Sequence, residues 1–163
     1  VIESDIPSNL DDYKLYDIVD DIDYRLKFEG TEKVVVKIGN TTLKEGTDYK
    51  ISFVENANGV QNKTTSGKLA LTFLDTENGM NASTTLKNNQ GKKIQVIFNT
   101  IFAKDENGDL LATMGEQIPN QAKLEYINTS SDNKSLIVLG GHTWITNITI
   151  TNQEIDIITL VPK

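Results

Sequence analysis

The stretch YDIVDDIDYRLKF, residues 16–28, constrains the fold more than any other part of the chain. Its even positions, Tyr16, Ile18, Asp20, Ile22, Tyr24, Leu26 and Phe28, form an apolar row interrupted only by Asp20. Its odd positions, Asp17, Val19, Asp21, Asp23, Arg25 and Lys27, form a row that is largely charged. A period of two sends successive side chains to opposite faces of a strand. The stretch therefore asks for a sheet with one buried face, and it sets a carboxylate among side chains bound for the core. Two readings of Asp20 stand side by side. It stays in the inward row, or a turn within VDDID resets the alternation and exposes it, because 13 residues exceed the common strand length.

The same alternation recurs along the chain. Strands are expected over 13–19, 33–38, 48–54, 68–74, 93–102, 121–127, 135–139, 143–150 and 155–161, separated by runs of Asn, Gly and Asp. Inward rows are expected at Leu69, Leu71 and Phe73; at Ile94, Val96 and Phe98; at Ala122, Leu124 and Tyr126; and at Trp144, Ile148 and Ile150. Nine short strands without an amphipathic helix predict an all-β sandwich occupying residues 1–163 as a single domain. Segments such as KIGNTTLKEGTDY and VENANGVQNKTTSGK read as exposed loops or hairpin ends. The polar stretch 76–91 is either mobile or folded as a short helix across the end of the sandwich.

Charge narrows the partners. Sixteen Lys+Arg against 23 Asp+Glu give a formal charge of −7 with no basic cluster, so nucleic acid and anionic membrane surface are poor partners. No apolar run reaches the length of a membrane span and no signal peptide is visible, so membrane insertion is not expected. Cysteine is absent, which removes disulfides and thiol nucleophiles and predicts stabilisation by some other means.

Familiar catalytic and metal patterns are thin. DENGD places Asp105, Asn107 and Asp109 at the odd spacing of a calcium loop but lacks its glycine in the proper place and its distal glutamate, so it reads as a hairpin turn. His142 is the only histidine and reads as a turn residue before a core tryptophan, which excludes a histidine metal cluster. Asn-x-Ser/Thr sequons at Asn40, Asn62, Asn81, Asn128, Asn133 and Asn147 are expected by chance in an Asn- and Thr-rich chain. No cofactor and no metal are predicted.

A second polar residue breaks an inward row. Asn120 in IPNQAKLEY shares the parity of Ala122, Leu124 and Tyr126, so a carboxamide heads an apolar row and needs a hydrogen-bonding partner. Asp20 and Asn120 explain one another if they meet. A buried acid whose pKa is raised by desolvation stays protonated and polarises the carboxamide carbonyl. A buried lysine, kept neutral by the same desolvation, attacks it. The product is a Lys–Asn amide with loss of ammonia, a covalent staple in a chain without cysteine.

With these residues in view, the pieces DIPSNLDDYKLYDIVDDIDYRLKF, VVVKIGNTTLKEGTDYKISF, GKLALTF, GKKIQVIFNTIF and IPNQAKLEYIN fall in an order that resembles the isopeptide-forming domains of Gram-positive surface proteins. These are the CnaA-like modules of sortase-assembled pilins and related adhesins, also described as the fimbrial isopeptide-forming family. The resemblance covers residues 5 to 128 and implies an immunoglobulin-like β-sandwich. It also implies Asp20 as catalytic acid and Asn120 as isopeptide acceptor, with Asn128 as second choice. It further implies a lysine from a first strand upstream of the acid, a strand missing from this chain. Lys14 shares the parity of Asp20 but lies in its own strand, and Lys163 in ITLVPK is similar to the YPK of the pilin motif or marks a join to a following domain. Either the first strand lies upstream or in another chain, or the bond does not form here.

The expected function is that of a stalk domain in an extracellular, cell-wall-anchored pilin or adhesin. Its expected partners are neighbouring domains or pilin subunits, and a lysine-bearing strand supplied in trans is a further candidate. The cross-link forms once within its own fold, so the chain is not read as an enzyme. The alternative is an adhesin domain that recognises a host matrix protein or glycan through the loops 56–67 and 76–91.

Overall fold

The computed structural model describes residues 1–56, 64–151 and 154–162, with side chains described as far as Leu139. Twelve strands and one short helix appear among them: β1 (Ile2–Asp5), β2 (Tyr13–Asp23), β3 (Leu26–Phe28), β4 (Val35–Ile38), β5 (Thr41–Thr42), β6 (Lys50–Glu55), β7 (Thr65–Asp75), α1 (Thr84–Lys87), β8 (Lys93–Ile97), β9 (Thr100–Phe102), β10 (Gln117–Asn128), β11 (Ser135–Thr151) and β12 (Glu154–Pro162). The larger sheet has the order β12-β11-β10-β2-β7-β6 and the smaller β1-β8-β4-β5, while β3 and β9 form a separate ribbon. Neighbouring strands within each sheet run antiparallel. The all-β expectation holds.

Alternation builds the core between the two sheets. Leu69, Leu71 and Phe73 of β7 and Ile94 and Val96 of β8 are fully buried, and Ala122 and Leu124 of β10 are buried beside them. Phe98 and Tyr126 are partly buried against the same mass. Burial of this apolar surface supplies most of the drive to fold. A smaller cluster of Ile22, Leu26, Phe102, Ala112 and Ile118 fills the other end, and Phe53 and Phe98 pack against both clusters. The expected inward row of Trp144, Ile148 and Ile150 lies outside the described side chains.

Three expectations about the elements change. The run 93–102 is two strands, because residues 98–99 carry the chain from the four-stranded sheet to the ribbon. The strands expected at 135–139 and 143–150 are one, β11. Its pairing with β10 breaks register between Gln121 and Lys123, so Leu139 and Gly140 stand against the single residue Ala122 at an irregularity that glycine tolerates. His142 is thereby a strand residue opposite Asn120 and not a turn residue.

Two loops resolve. The stretch 76–91 folds as a short 3-10 turn, Thr76–Asn78, followed by α1, whose N-cap Ser83 accepts from the Leu86 amide at 3.2 Å. Leu86 itself is fully buried in the main core, which ties the segment down. In DENGD one carboxylate oxygen of Asp105 accepts from the amides of Asn107 and Asp109, each at 2.9 Å, and Gly108 takes φ of 82°. That is a hairpin turn capped by its own first residue.

Candidate functional site

β2 lies at the centre of the larger sheet, between β10 and β7. It runs unbroken through VDDID, so no turn resets the alternation, and Asp20 remains on the inward face between Ile18 and Ile22. Its backbone partners are Ala122 on β10 and Leu69 on β7. Only 1% of Asp20 is exposed.

Asn120 is brought to it. The carboxamide Nδ2 of Asn120 donates to Oδ2 of Asp20 at 3.0 Å. The second carboxyl oxygen, Oδ1, is equally enclosed and has no hydrogen-bond partner. Burial pushes the Asp20 carboxyl up to about 6, against the Asn120 hydrogen bond, which favours the charged form; the neighbouring Asp21 adds a further upward push.

The pair sits at a seam. Ile18 and Ala122 belong to the larger apolar cluster, whereas Ile22 and Ile118 belong to the smaller one. Asp20 and Asn120 each occupy the position between. A polar contact thus separates two hydrophobic masses, in a place where an unpaired polar atom is costly.

Other residues singled out in the sequence lie elsewhere. Asn128 pairs with Tyr13 at the opposite end of β2, seven residues from Asp20 and so roughly 23 Å away along the strand. The Lys14 amine bonds Asp132 at 2.8 Å and approaches Glu77 at 3.4 Å, well away from the acid. Lys163 falls outside the described residues. Among the described residues no lysine pairs with Asp20.

Sequence reasoning passed over two features. Asp17, on the outer face of β2 directly opposite Glu125, also has a buried oxygen without a partner, and burial pushes its carboxyl up to about 6. Its place in the charged row gave no warning, because cover over the outer face is a tertiary property. Arg25 clasps Asp23 through Nε at 2.7 Å and Nη2 at 2.9 Å and reaches Glu116 with Nη1. The short i,i+2 spacing of Asp23 and Arg25 was visible, but the 91-residue reach to Glu116 was not. A cleft of about 680 Å³ opens nearby, with Tyr24, Lys27, Phe28, Glu29, Phe53 and Phe102 among its lining residues.

No family model matches the chain, and no curated protein matches it. Solved structures do. The major pilin BcpA of Bacillus cereus aligns over 90% of this chain and 34% of its own, with a TM-score of 0.59 and 21% identity. The 35 kDa C-terminal fragment of the major pilin of Streptococcus agalactiae aligns over 83% of this chain and 44% of its own, at TM-score 0.54 and 22% identity. The major pilin SpaA of Corynebacterium diphtheriae aligns over 88% of this chain and 32% of its own, at TM-score 0.59 and 13% identity. The chain has a pilin-like fold. It spans about a third of the BcpA and SpaA chains and under half of the Streptococcus agalactiae fragment. The immunoglobulin-like sandwich expected from the sequence is the architecture they share with it. The SpaA structure is described as pointing to a modular pilus assembly with stabilising isopeptide bonds.

Proposed function

We propose that the chain is a load-bearing shaft domain of a bacterial pilus or cell-wall-anchored surface adhesin, fastened internally by an amide bond between a lysine and Asn120. The observation that carries this reading is the buried contact of Asn120 with Asp20, which leaves one acid oxygen enclosed and unpartnered. A neutral lysine amine beside that oxygen completes the set of donors and acceptors. Its nitrogen attacks Cγ of Asn120, the bond from Cγ to Nδ2 breaks, and Asp20 relays the amine's proton to the departing ammonia. The amine comes from a lysine-bearing strand outside the described residues, in the same chain or in a second one. Such a bond limits the unfolded chain's freedom as a disulfide does. It forms once, so the chain turns over no substrate.

The test is intact mass and peptide mapping of the domain expressed with its natural upstream sequence. One bond lowers the mass by about 17 Da, the ammonia lost. Asp20→Ala and Asn120→Ala should each restore the full mass. An unaltered mass in the wild-type protein, with no lysine peptide attached to Asn120, ends this reading. A ligand-binding adhesin role rests on a different observation, the aromatic cleft beside β3 and β9. Binding to a glycan or matrix-protein array that is lost in Phe28→Ala would support it, and silence on both arrays would remove it.

A further inference from the structure

β6 ends the larger sheet on the side away from β12. Its ladder with β7 runs unshifted from Lys50 opposite Thr72 to Glu55 opposite Gly67, and one residue further on the Asn56 amide donates to the Ser66 carbonyl at 2.9 Å. In an antiparallel pair, residues that exchange backbone bonds alternate with residues whose N–H and C=O point the other way. Ser52, Val54 and Asn56 therefore bond toward β7, whereas Phe53 and Glu55 turn their backbone groups outward. Among the described residues nothing bonds to those outward groups. They open on the cleft of about 680 Å³, which Phe53 and Glu55 line from β6 while Leu26, Phe28 and Phe102 line it from the ribbon of β3 and β9. The rings of Phe28 and Phe53 lie 4.6 Å apart. Alternate side chains of a strand added along β6 fall on the face that carries Phe53, and so enter the cleft.

We propose, resting on the ligand-binding reading of this cleft, that its occupant is an extended peptide segment of a partner protein, added as a strand to β6. Backbone bonds to Phe53 and Glu55 hold the segment, and the apolar floor selects its alternate side chains. A sugar finds less to bind. Phe28 and Phe102 are 8% and 4% exposed, and the Arg25 guanidinium lies over the Tyr24 ring at 5.1 Å, so little open ring face remains for stacking. Charge adds a preference. Lys27 and Lys104 line the cleft without an ion-pair partner among the described residues, whereas Glu29, one of its two acids, is held by Lys33 at 3.5 Å. The segment that fits therefore has apolar residues at every second position and an acidic residue flanking them.

Fluorescence anisotropy of a labelled heptapeptide, with valine at its second, fourth and sixth positions, threonine at its third and fifth and glutamate at both ends, tests the proposal. The 163-residue chain should bind it saturably with Kd below about 1 mM. Lysine in place of both glutamates should weaken binding at least about threefold. A strand bonds its neighbour through one edge only, so methylating the valine amides in one peptide and the threonine amides in another should abolish binding in one case and spare it in the other. Glu55→Pro removes an outward N–H of β6 while keeping its bonds to β7, and should weaken binding at least about fivefold with unchanged far-UV circular dichroism. Glu55→Gln, which removes only the charge, should not weaken it. No saturable binding, two methylated peptides that bind alike, or a Glu55→Pro variant that binds as wild type would each overturn the proposal. If the peptide fails while a ligand on the glycan or matrix-protein array binds and is lost in Phe28→Ala, the adhesin reading stands without this inference; silence of peptide and arrays together removes both.

Discussion

Asn120 reaches across from β10 to donate to Asp20 on β2, a hydrogen bond of 3.0 Å between residues 100 apart in the chain. The two strands are direct neighbours, so the contact depends on register and not on any mobile loop. Because Oδ1 of the same carboxyl is enclosed and unpaired, ionisation of Asp20 costs the fold free energy.

That cost has a definite pH signature. A carboxyl raised from 3.8 to about 6 holds its proton more tightly in the folded chain than in the unfolded one. The stability it contributes is complete below the unfolded value and is lost as pH rises through the folded value. At neutral pH the loss is on the order of 3 kcal/mol. In the 163-residue chain with no lysine joined to Asn120, Asp20→Asn should therefore be near neutral at about pH 4 and stabilising by roughly 1–3 kcal/mol at about pH 7.5, in denaturant titrations. An equal effect at both pH values would contradict a buried, protonated acid.

Asp17 shares the window, since its folded value is also about 6. Asp17→Asn should remove a second part of the same pH dependence and add to Asp20→Asn, because the two face opposite sides of β2. Chemical-shift titration of both carboxyl carbons gives the direct check, with midpoints near 6 expected in the folded chain.

Arg25 should resist replacement. Its side chain is 12% exposed and holds Asp23, itself 8% exposed, with Glu116 on the other side. Removing it leaves a nearly buried carboxylate without its cation, so Arg25→Ala should cost about 3 kcal/mol in chemical unfolding. Arg25→Lys should recover only part, lacking the two-pronged geometry.

Gly67 is required by packing. A Cβ there would overlap the Phe53 ring and come within 2.8 Å of the Val54 carbonyl oxygen. Gly67→Ala should cost about 1–3 kcal/mol and displace Phe53, seen as a shift of its ring signals by NMR. Leu86→Ala empties a fully buried site under α1 and should cost about 2–5 kcal/mol.

Much of this architecture was legible because period-two alternation reports burial on one face directly. The rows at Leu69–Phe73 and Ile94–Val96 became core for that reason. Asp20 and Asn120 stood out as polar exceptions within such rows, and the structure brings them into contact. The strands β1, β3 and β5 were not visible, since two to four residues carry too little periodicity to register. The glycine pair before His142 suggested a turn, yet glycine also suits a break in register, and only the neighbouring strand decides between them. The exposure of Leu136, Ile137 and Val138 was equally hidden: the same residues read only as one strand among nine.

The seam between the two apolar clusters has a mechanical meaning. Ordinary cores yield piecemeal, one hydrophobic patch loosening before the next. Here the Asp20–Asn120 contact sits at the boundary between the patches, so a single covalent rivet at that point would force both ends of the sandwich to give way together or hold together.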